Sequence, residues 1–345
     1  PEQFYYIDLG SVEDGELSNA KIENALSAPS RAQRLLSCND VLFQTVRPYQ
    51  QNNYLFCKER SLPTVASTGY AVFRTKYDVP FLYALIHTGH FLNSVLSRCT
   101  GTSFPAVSAS DIEDILVSIP SLGEQQKIGE LFRLLNSKIR KQKALIESLK
   151  KYKRGVTEAI FTKDLRFTTK GVPYPQWDKK YVGDICKIQT GKSNTQDETS
   201  QGSYPFYVRS PIVRKSNRYL FDCEAVLTVG DGVGTGKVFH YVTGKFDLHQ
   251  RVYAMTDFKI VSGKYFYYYF SHFFYDRVMR MTAKTSVDSV RYEMIDKMAI
   301  QIPCHEEQQQ IVCFLDCLEH SVIEAEKTLN LLEKLKSGCL QQLFI

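Results

Sequence analysis

Ile119-Pro120-Ser121-Leu122-Gly123-Glu124-Gln125-Gln126-Lys127-Ile128 returns later in the chain as Ile302-Pro303-Cys304-His305-Glu306-Glu307-Gln308-Gln309-Gln310-Ile311. The offset is 183 residues, and at that offset 119–161 aligns with 302–344 without a gap, matching at 12 of 43 positions. The register persists upstream: Tyr70-Ala71 answers Tyr253-Ala254, Phe91 answers Phe274, Val95 answers Val278, and Thr102-Ser103 answers Thr285-Ser286. Chance supplies scattered matches but not a register sustained over roughly ninety residues. The chain is therefore a tandem duplication of a globular part followed by a long helix.

The copies differ at their starts. Tyr6-Ile7 resembles Tyr207-Val208, so the first copy has no counterpart of the stretch from Trp177-Asp178 to Thr190-Gly191-Lys192. A clipped amino terminus is the simple expectation.

Beyond Pro120 and Pro303 the apolar period becomes helical. Ile128, Leu131, Leu135, Ile139, Ile146, Leu149, Tyr152 and Val156 recur mostly three, four and seven apart, answered by Ile311, Phe314, Leu318, Val322, Leu329, Leu332, Leu335 and Cys339. Each proline-free segment has room for about 35 residues, or roughly 50 Å of helix. A seam that long and narrow predicts coiled-coil packing. Residues 124–154 carry ten Lys/Arg and three Glu, net +7, whereas 306–336 carry seven Asp/Glu and three Lys, net −4. Opposite charge on matching seams predicts that the two helices pair with each other, antiparallel.

The globular parts read as mixed α/β. Val41-Leu42-Phe43 and Ala225-Val226-Leu227-Thr228 read as short buried strands. Val238–Val242, a Thr243-Gly244 turn and the stretch from Phe246 read as a hairpin, and 80–98 and 264–281 read as helices packed on the strands. The aromatic run 265–270 reads as a buried helix face rather than a base-stacking platform. The fold class is thus α+β, with units at 1–118 and 166–301 and spacer helices at 119–165 and 302–345.

Composition narrows the function classes. The 345 residues are near the globular average, and no apolar run approaches the roughly 20 residues of a membrane span, so no membrane partner is expected. Nine cysteines without paired spacing read as reduced thiols in a cytoplasmic protein. A net charge of +6 permits a nucleic-acid partner without demonstrating one.

Catalytic motifs are missing. Gly230-Asp231-Gly232-Val233-Gly234-Thr235-Gly236-Lys237 imitates a phosphate loop, but Val238 stands where Ser or Thr should bind magnesium and a strand rather than a helix follows. It reads better as a glycine-rich hairpin tip that lets backbone approach DNA phosphates. Cys313, Cys317, His320 and His305 suggest a zinc site, but no Cys-x-x-Cys supports it and the first copy has Glu130, Leu134 and Ser137 at the matching positions; no metal is expected. No adenine-binding Asn/Asp-Pro-Pro-Tyr segment, His-Glu-x-x-His or Gly-x-Ser-x-Gly occurs. The sequence reads as a binding protein, not an enzyme.

Pro120–Ile128 and Pro303–Ile311, each leading into a long helix that ends in Phe161 or Phe344, resemble the specificity subunits of type I restriction–modification systems. So do 40–48, 66–72 and 101–108 in the first copy, and Trp177, Gly183-Asp184-Ile185, Thr190-Gly191-Lys192 and 236–239 in the second. The resemblance implies two target-recognition domains, each reading half of a split double-stranded DNA site, on two conserved helices that dock methylation subunits, two of them expected. Those partners would bind S-adenosylmethionine, with no cofactor in this chain, and restriction–translocation subunits would join them. The candidate DNA contacts are polar and basic loop residues: Gln44, Thr45, Arg47, Thr68, Thr102 and Ser103, then Lys192, Arg209, Arg214, Lys215, Lys237, Gln250, Arg251, Thr285, Ser286 and Arg291. The expected spacer and partner-binding positions are Gln125, Ile128, Leu135, Leu149, Gln308, Ile311, Leu318 and Leu332. Two other classes remain open on the residues alone: the recognition part of a fused restriction–methylation enzyme, and a helical scaffold without a DNA role.

Overall fold

The computed structural model describes residues 2–18, 20–57, 60–232, 234–282 and 289–344; Thr285, Ser286 and Asp288 lie outside the described residues. The chain divides into two compact units, Pro1–Leu145 with Ala325–Ile345, and Ile146–Glu324.

The first unit contains strands β1 (Gln3–Ile7), β2 (Lys21–Asn24), β3 (Ala32–Leu35), β4 (Asp40–Gln44), β5 (Tyr54–Phe56), β6 (Thr64–Ser67) and β7 (Tyr70–Phe73). Helices α1 (Val79–Leu85) and α2 (Gly89–Leu96) follow, and then the 41-residue α3 (Leu122–Thr162) begins. The second unit contains β8 (Asp178–Tyr181), β9 (Lys187–Thr190), β10 (Tyr204–Tyr207), β11 (Arg214–Ser216), β12 (Phe221–Asp222), β13 (Ala225–Val229), β14 (Phe239–Val242), β15 (Lys245–Leu248) and β16 (Val252–Thr256). It continues through α4 (Gly263–Met281) and β17 (Ala299–Ile302) into the 39-residue α5 (His305–Leu343).

The duplication is visible strand by strand. In the first unit one sheet runs β2-β1-β6-β3, in the second β11-β10-β15-β12. The parallel pair is equivalent in both: Tyr6 faces Val65, and Tyr207 faces Leu248. The other sheet runs β5-β4-β7 in the first unit and β14-β13-β16-β9 in the second. Among the described residues the first unit has neither a counterpart of β9 nor of the β8–β17 pair. That difference falls where the sequence shows no counterpart of residues 177–192.

The short apolar runs are strands covered on both faces. Val41 and Phe43 pack with Ile86, Phe91 and Val95, while Leu42 points the other way into Ile7, Phe56, Ala66 and Tyr70. In β13, Val226 faces α4, whereas Ala225 and Leu227 face Phe246 and Leu248. The aromatic run is core: Tyr265, Phe266, Tyr268, Tyr269 and Phe270 are all buried, and Tyr265 donates its hydroxyl to the Gln301 carbonyl at 2.7 Å.

Two expectations are corrected. Residues 239–242 and 245–248 are not a hairpin, because they join different sheets; Gly244 at φ +85° turns the chain from one sheet to the other. The helix expected over 80–98 breaks at 86–88, where the Thr88 hydroxyl accepts from Phe91 N and starts α2 afresh. In the second copy α4 runs unbroken over the same register.

Helices α3 and α5 are antiparallel. Inside the first unit the beginning of α3 meets the end of α5, with Ile128, Phe132 and Leu135 against Cys339, Leu340 and Phe344. Inside the second unit the end of α3 meets the beginning of α5, with Ile160 and Phe161 against Ile311 and Leu315. Opposite charges meet in each: Lys143 with Glu333 at 3.9 Å, and Lys153 with Glu319. Exposed pairs like these contribute at most about 1 kcal/mol, so the apolar seam dominates.

His87 makes the first unit acid-labile. Its Nδ1 lies 2.6 Å from the Tyr83 carbonyl and its Nε2 3.3 Å from the Asn53 amide. Burial, with Lys336 adding to it, pushes the imidazole down to about 4. Because the folded value lies below the unfolded one, this stability is complete above pH 6.5 and is lost as pH falls towards 4. We expect about 2–3 kcal/mol to be lost across that window. Denaturant unfolding at stepped pH measures it; a His87→Gln protein with the same pH slope would refute the assignment.

Candidate nucleic-acid interface

In the second unit the basic candidates gather where strands end. Gly191 leaves β9 so close to β15 that a Cβ there would collide with the Leu248 carbonyl, which explains a glycine in Thr190-Gly191-Lys192. The next residue but one, Ser193, is buried and donates to Asp247 Oδ1 at 2.6 Å, while Leu248 N donates to the same oxygen at 2.9 Å. Arg218 closes this cluster, donating to Ser193 Oγ at 3.0 Å and to Asp197 at 2.9 Å. This network fixes the loop that exposes Lys192. On the adjoining turn, Gln250 donates to Asn194 Oδ1 at 2.6 Å.

The glycine-rich stretch is the tip joining β13 to β14, as a hairpin reading requires. Its Asp231 receives two arginines, Arg251 Nη1 at 2.6 Å and Arg209 Nη1 at 3.3 Å. Asp231 is largely enclosed at 19% exposure, while the Arg251 side chain remains 60% exposed. The acid thus anchors one edge of each guanidinium and leaves the rest facing solvent. A fork held that way is suited to the O6/N7 edge of guanine or to a phosphate. Beneath it His249 is buried, and that burial, with Arg209, lowers its pKa; it donates its backbone N to the Tyr207 carbonyl at 3.0 Å. Arg291 joins the same loop through its neighbours: Val290 N donates to the Gly230 carbonyl at 2.7 Å, and Ser289 bridges Asp231.

Lys192, Arg209, Gln250, Arg251 and Arg291 are therefore brought to one set of loops. Arg214 is instead paired with Glu198 at 3.1 Å, Lys215 stands exposed beside it on strand β11, and the Lys237 ammonium sits 5.1 Å over the Tyr275 ring.

In the first unit the structure redistributes the roles. Gln44 is buried and its amide is spent: Nε2 donates to the Val46 carbonyl at 2.7 Å and to Gln50 at 2.9 Å, while Oε1 accepts from Asn52 N. Thr45 is buried too, its hydroxyl on the Gly69 carbonyl at 2.8 Å. Both brace the loop, and neither is exposed to touch a base. The loop they brace turns Arg47 into the left-handed region at φ 54° and lays its guanidinium 4.4 Å over Phe104. Arg47 and Phe104 line an open groove of about 470 Å³ with Arg31, Gln50, Asn52 and Glu13. Thr68 is half-buried at its rim, its N on the Arg31 carbonyl at 2.8 Å, and Thr102 and Ser103 are exposed beside Phe104.

The two loops share a backbone. Val107 N donates to the Thr45 carbonyl as Val290 N does to Gly230, and the Val46–Ala106 bridge matches Asp231–Ser289. Valine in one copy thus stands where the other places its arginine-holding acid.

The helix positions divide in the same manner. Gln125 is buried, accepting from Asp78 N at 3.1 Å and donating to the Pro120 carbonyl at 2.8 Å; Gln308 is buried, accepting from Ser262 N at 2.9 Å and donating to Pro303 at 2.9 Å. Each glutamine ties its spacer helix to the residue that caps α1 or α4. Ile128, Leu135, Ile311 and Leu332 are buried, and Leu149 and Leu318 half-buried, so these side chains form the seam.

Asp231, Arg218, Asp247, Arg31 and Phe104 escaped sequence reasoning. Asp231 was visible only as a misfit in a phosphate loop. An aspartate beside flexible glycines is a signal for a held cation, but its arginines are 20 and 22 residues away. Among the described residues no group of three His, Cys, Asp or Glu could hold a metal, and no helix is long and apolar enough to cross a membrane.

A sequence model of the family described as type I restriction modification DNA specificity domain matches residues 41–151 and 174–336. The chain is 27% identical over 159 residues to the type I restriction enzyme EcoDI specificity subunit of Escherichia coli, covering 46% of this chain and 34% of that protein. It is 20% identical over 293 residues to the MjaIX specificity subunit of Methanocaldococcus jannaschii, covering 76% and 67%. The match thus spans about a third of the length of the Escherichia coli relative. Among solved structures, the type I restriction–modification S subunit from M. genitalium superposes with a TM-score of 0.68 at 12% identity, covering 99% of this chain and 88% of that one. A chain from a study of complex assembly and conformational transition in a type I R-M system gives 0.59 at 20% identity, covering 99% and 91%. Both show a shared fold.

Proposed function

The chain belongs to the type I restriction modification DNA specificity family, and from that premise we propose that its two units read the two halves of a bipartite, asymmetric DNA site. The carrying observation is the loop with one backbone and two chemistries, Val46 with Arg47 over Phe104 in the first unit and Asp231 holding Arg209 and Arg251 in the second. Side-chain identity at base edges decides which pairs are accepted, so different chemistry on one frame reads different half-sites. The chain carries out no catalysis itself. The outer faces of α3 and α5 dock two methylation subunits that bind S-adenosylmethionine and methylate adenine, and restriction–translocation subunits join that assembly in the cytoplasm.

The test is methylated-motif mapping in cells that hold the methylation partner, with residues 166–301 exchanged for those of another family member. One half-site should change and the other persist; a change in both, or in neither, sinks the two-reader account. Arg251→Ala should relax the same half-site, losing about 1–3 kcal/mol of discrimination and leaving the other half intact.

A further inference from the structure

The entry to β4 in the first unit carries two thiols that the DNA reading does not use. Asp40 pairs with Phe56, yet Asn39, at φ +73°, also donates its N to the Phe56 carbonyl at 2.7 Å. Two residues on one side thus oppose one on the other, the count of a β-bulge. That extra residue brings the next pair outward, Cys38 and Cys57, opposite each other. Cys38 Sγ donates to the Cys57 carbonyl at 3.3 Å, and both thiols are exposed. Burial raises the Cys57 pKa and the neighbouring Cys38 adds to it, so the two sulfurs feel one another. Opposed strand residues hold their Cβ atoms about 4.5–5.5 Å apart, and a disulfide needs about 3.5–4.5 Å, so the closing shift is about 1 Å. Strand β5 ends its sheet and is placed to make that shift. In the second unit Cys223 enters β13 in the same way but meets a glycine, its N donating to the Gly244 carbonyl at 3.1 Å.

We propose that Cys38 and Cys57 are a modification site, a dithiol that a peroxide oxidises to a disulfide, tying the base of the hairpin whose tip holds Arg47. The step moves two electrons from the thiols to the peroxide. One thiol takes an oxygen as the O–O bond breaks, giving a sulfenic acid and water; the other thiol then attacks that sulfur, forming the S–S bond and releasing a second water. The bond closes a loop of 18 intervening residues that includes Gln44, Arg47, Gln50 and Asn52. At the far end of β4, Gln44 N already donates to Asn53 Oδ1 at 2.9 Å, so the oxidised hairpin is pinned at both base and tip. Oxidation stiffens the first unit's loop and leaves the second unit's unchanged. The proposal does not depend on what that loop reads.

The test compares the full chain treated with hydrogen peroxide against the chain held in dithiothreitol, by non-reducing peptide mapping and hydrogen–deuterium exchange. Peptides carrying Cys38 and Cys57 should be recovered joined, within one chain, and should separate again on reduction. Amides of 40–44 and 54–56 should exchange on the order of 10-fold more slowly in the oxidised chain, while 225–229 and 239–242 keep their rates. Cys38→Ser and Cys57→Ser should each abolish both the link and the protection, whereas Cys313→Ser should change neither. Thiols left unreacted, a sulfinic or sulfonic acid at Cys38 with no link to Cys57, or links only between chains or to other cysteines overturn the proposal. So does a Cys38–Cys57 link that leaves exchange in 40–44 unchanged.

Discussion

Arg166→Leu is expected to destabilise the second unit by about 3–5 kcal/mol, the cost of leaving a buried charge without its partner. Glu307 is fully buried and accepts from Arg166 Nε at 2.8 Å, from Arg166 Nη2 at 3.0 Å and from Trp177 Nε1 at 2.8 Å. Arg166 also donates to the Tyr174 and Pro175 carbonyls, so it fastens the segment that leads into β8. Leucine removes every one of those donors, and the indole N–H alone cannot compensate a desolvated carboxylate. Adding Glu307→Leu should recover part of the loss, because the stranded charge goes with it. Trp177 is the only tryptophan in the chain, so its fluorescence in a denaturant titration reports on this site directly. A loss under about 1 kcal/mol, or a double variant worse than the sum of the singles, would show that the pair is not a buried unit.

The duplication and the helices were legible because they rest on periodicity. The 183-residue register relates Val65 to Leu248, and the strands that hold them pair in parallel with the strands of Tyr6 and Tyr207, whose likeness the sequence also shows. Opposite net charges and matched seams pointed to an antiparallel pair, and the contacts of Phe132 and Phe161 at opposite ends of α3 realise it. Sheet membership was not legible, because Phe239–Val242 and Lys245–Leu248 have the pattern of a hairpin. What separates them is a partner strand for each, the neighbouring Ala225–Val229 for the first and Tyr204–Tyr207, distant in sequence, for the second.

The candidate site was legible only as residue types on loops. Gln44 and Thr45 have the right chemistry for bases, yet their backbone direction turns both inward, and no single-sequence pattern reports that. Arg209 and Arg251 were chosen for charge, but the feature that gives them a fixed geometry, Asp231, lies on a third loop. Long-range side-chain pairing is set by the fold, whereas local sequence sets only which partners are available.

Phe132→Ala is expected to cost the first unit about 3–5 kcal/mol, the range for truncating a buried aromatic whose cavity cannot fully collapse. Phe132 is almost fully buried between Ile128 and Leu135, with the Phe344 ring 5.9 Å away, and Phe344 in turn stacks on Phe81 of α1 at 5.4 Å. Those three rings join both spacer helices to the recognition part of that unit. Removing Phe132 should loosen α1 from its helical support while β1–β7 keep their own cores, which share only the half-buried Leu82 with this cluster. Hydrogen–deuterium exchange should therefore accelerate in Phe81–Leu85 and hardly at all in Tyr265–Phe270. If each unit reads its own half-site, methylated-motif mapping with the partner subunit should show relaxed discrimination in the first unit's half alone. Equal acceleration in both segments, or none in Phe81–Leu85, would mean that the ring cluster does not hold the first unit to its helices.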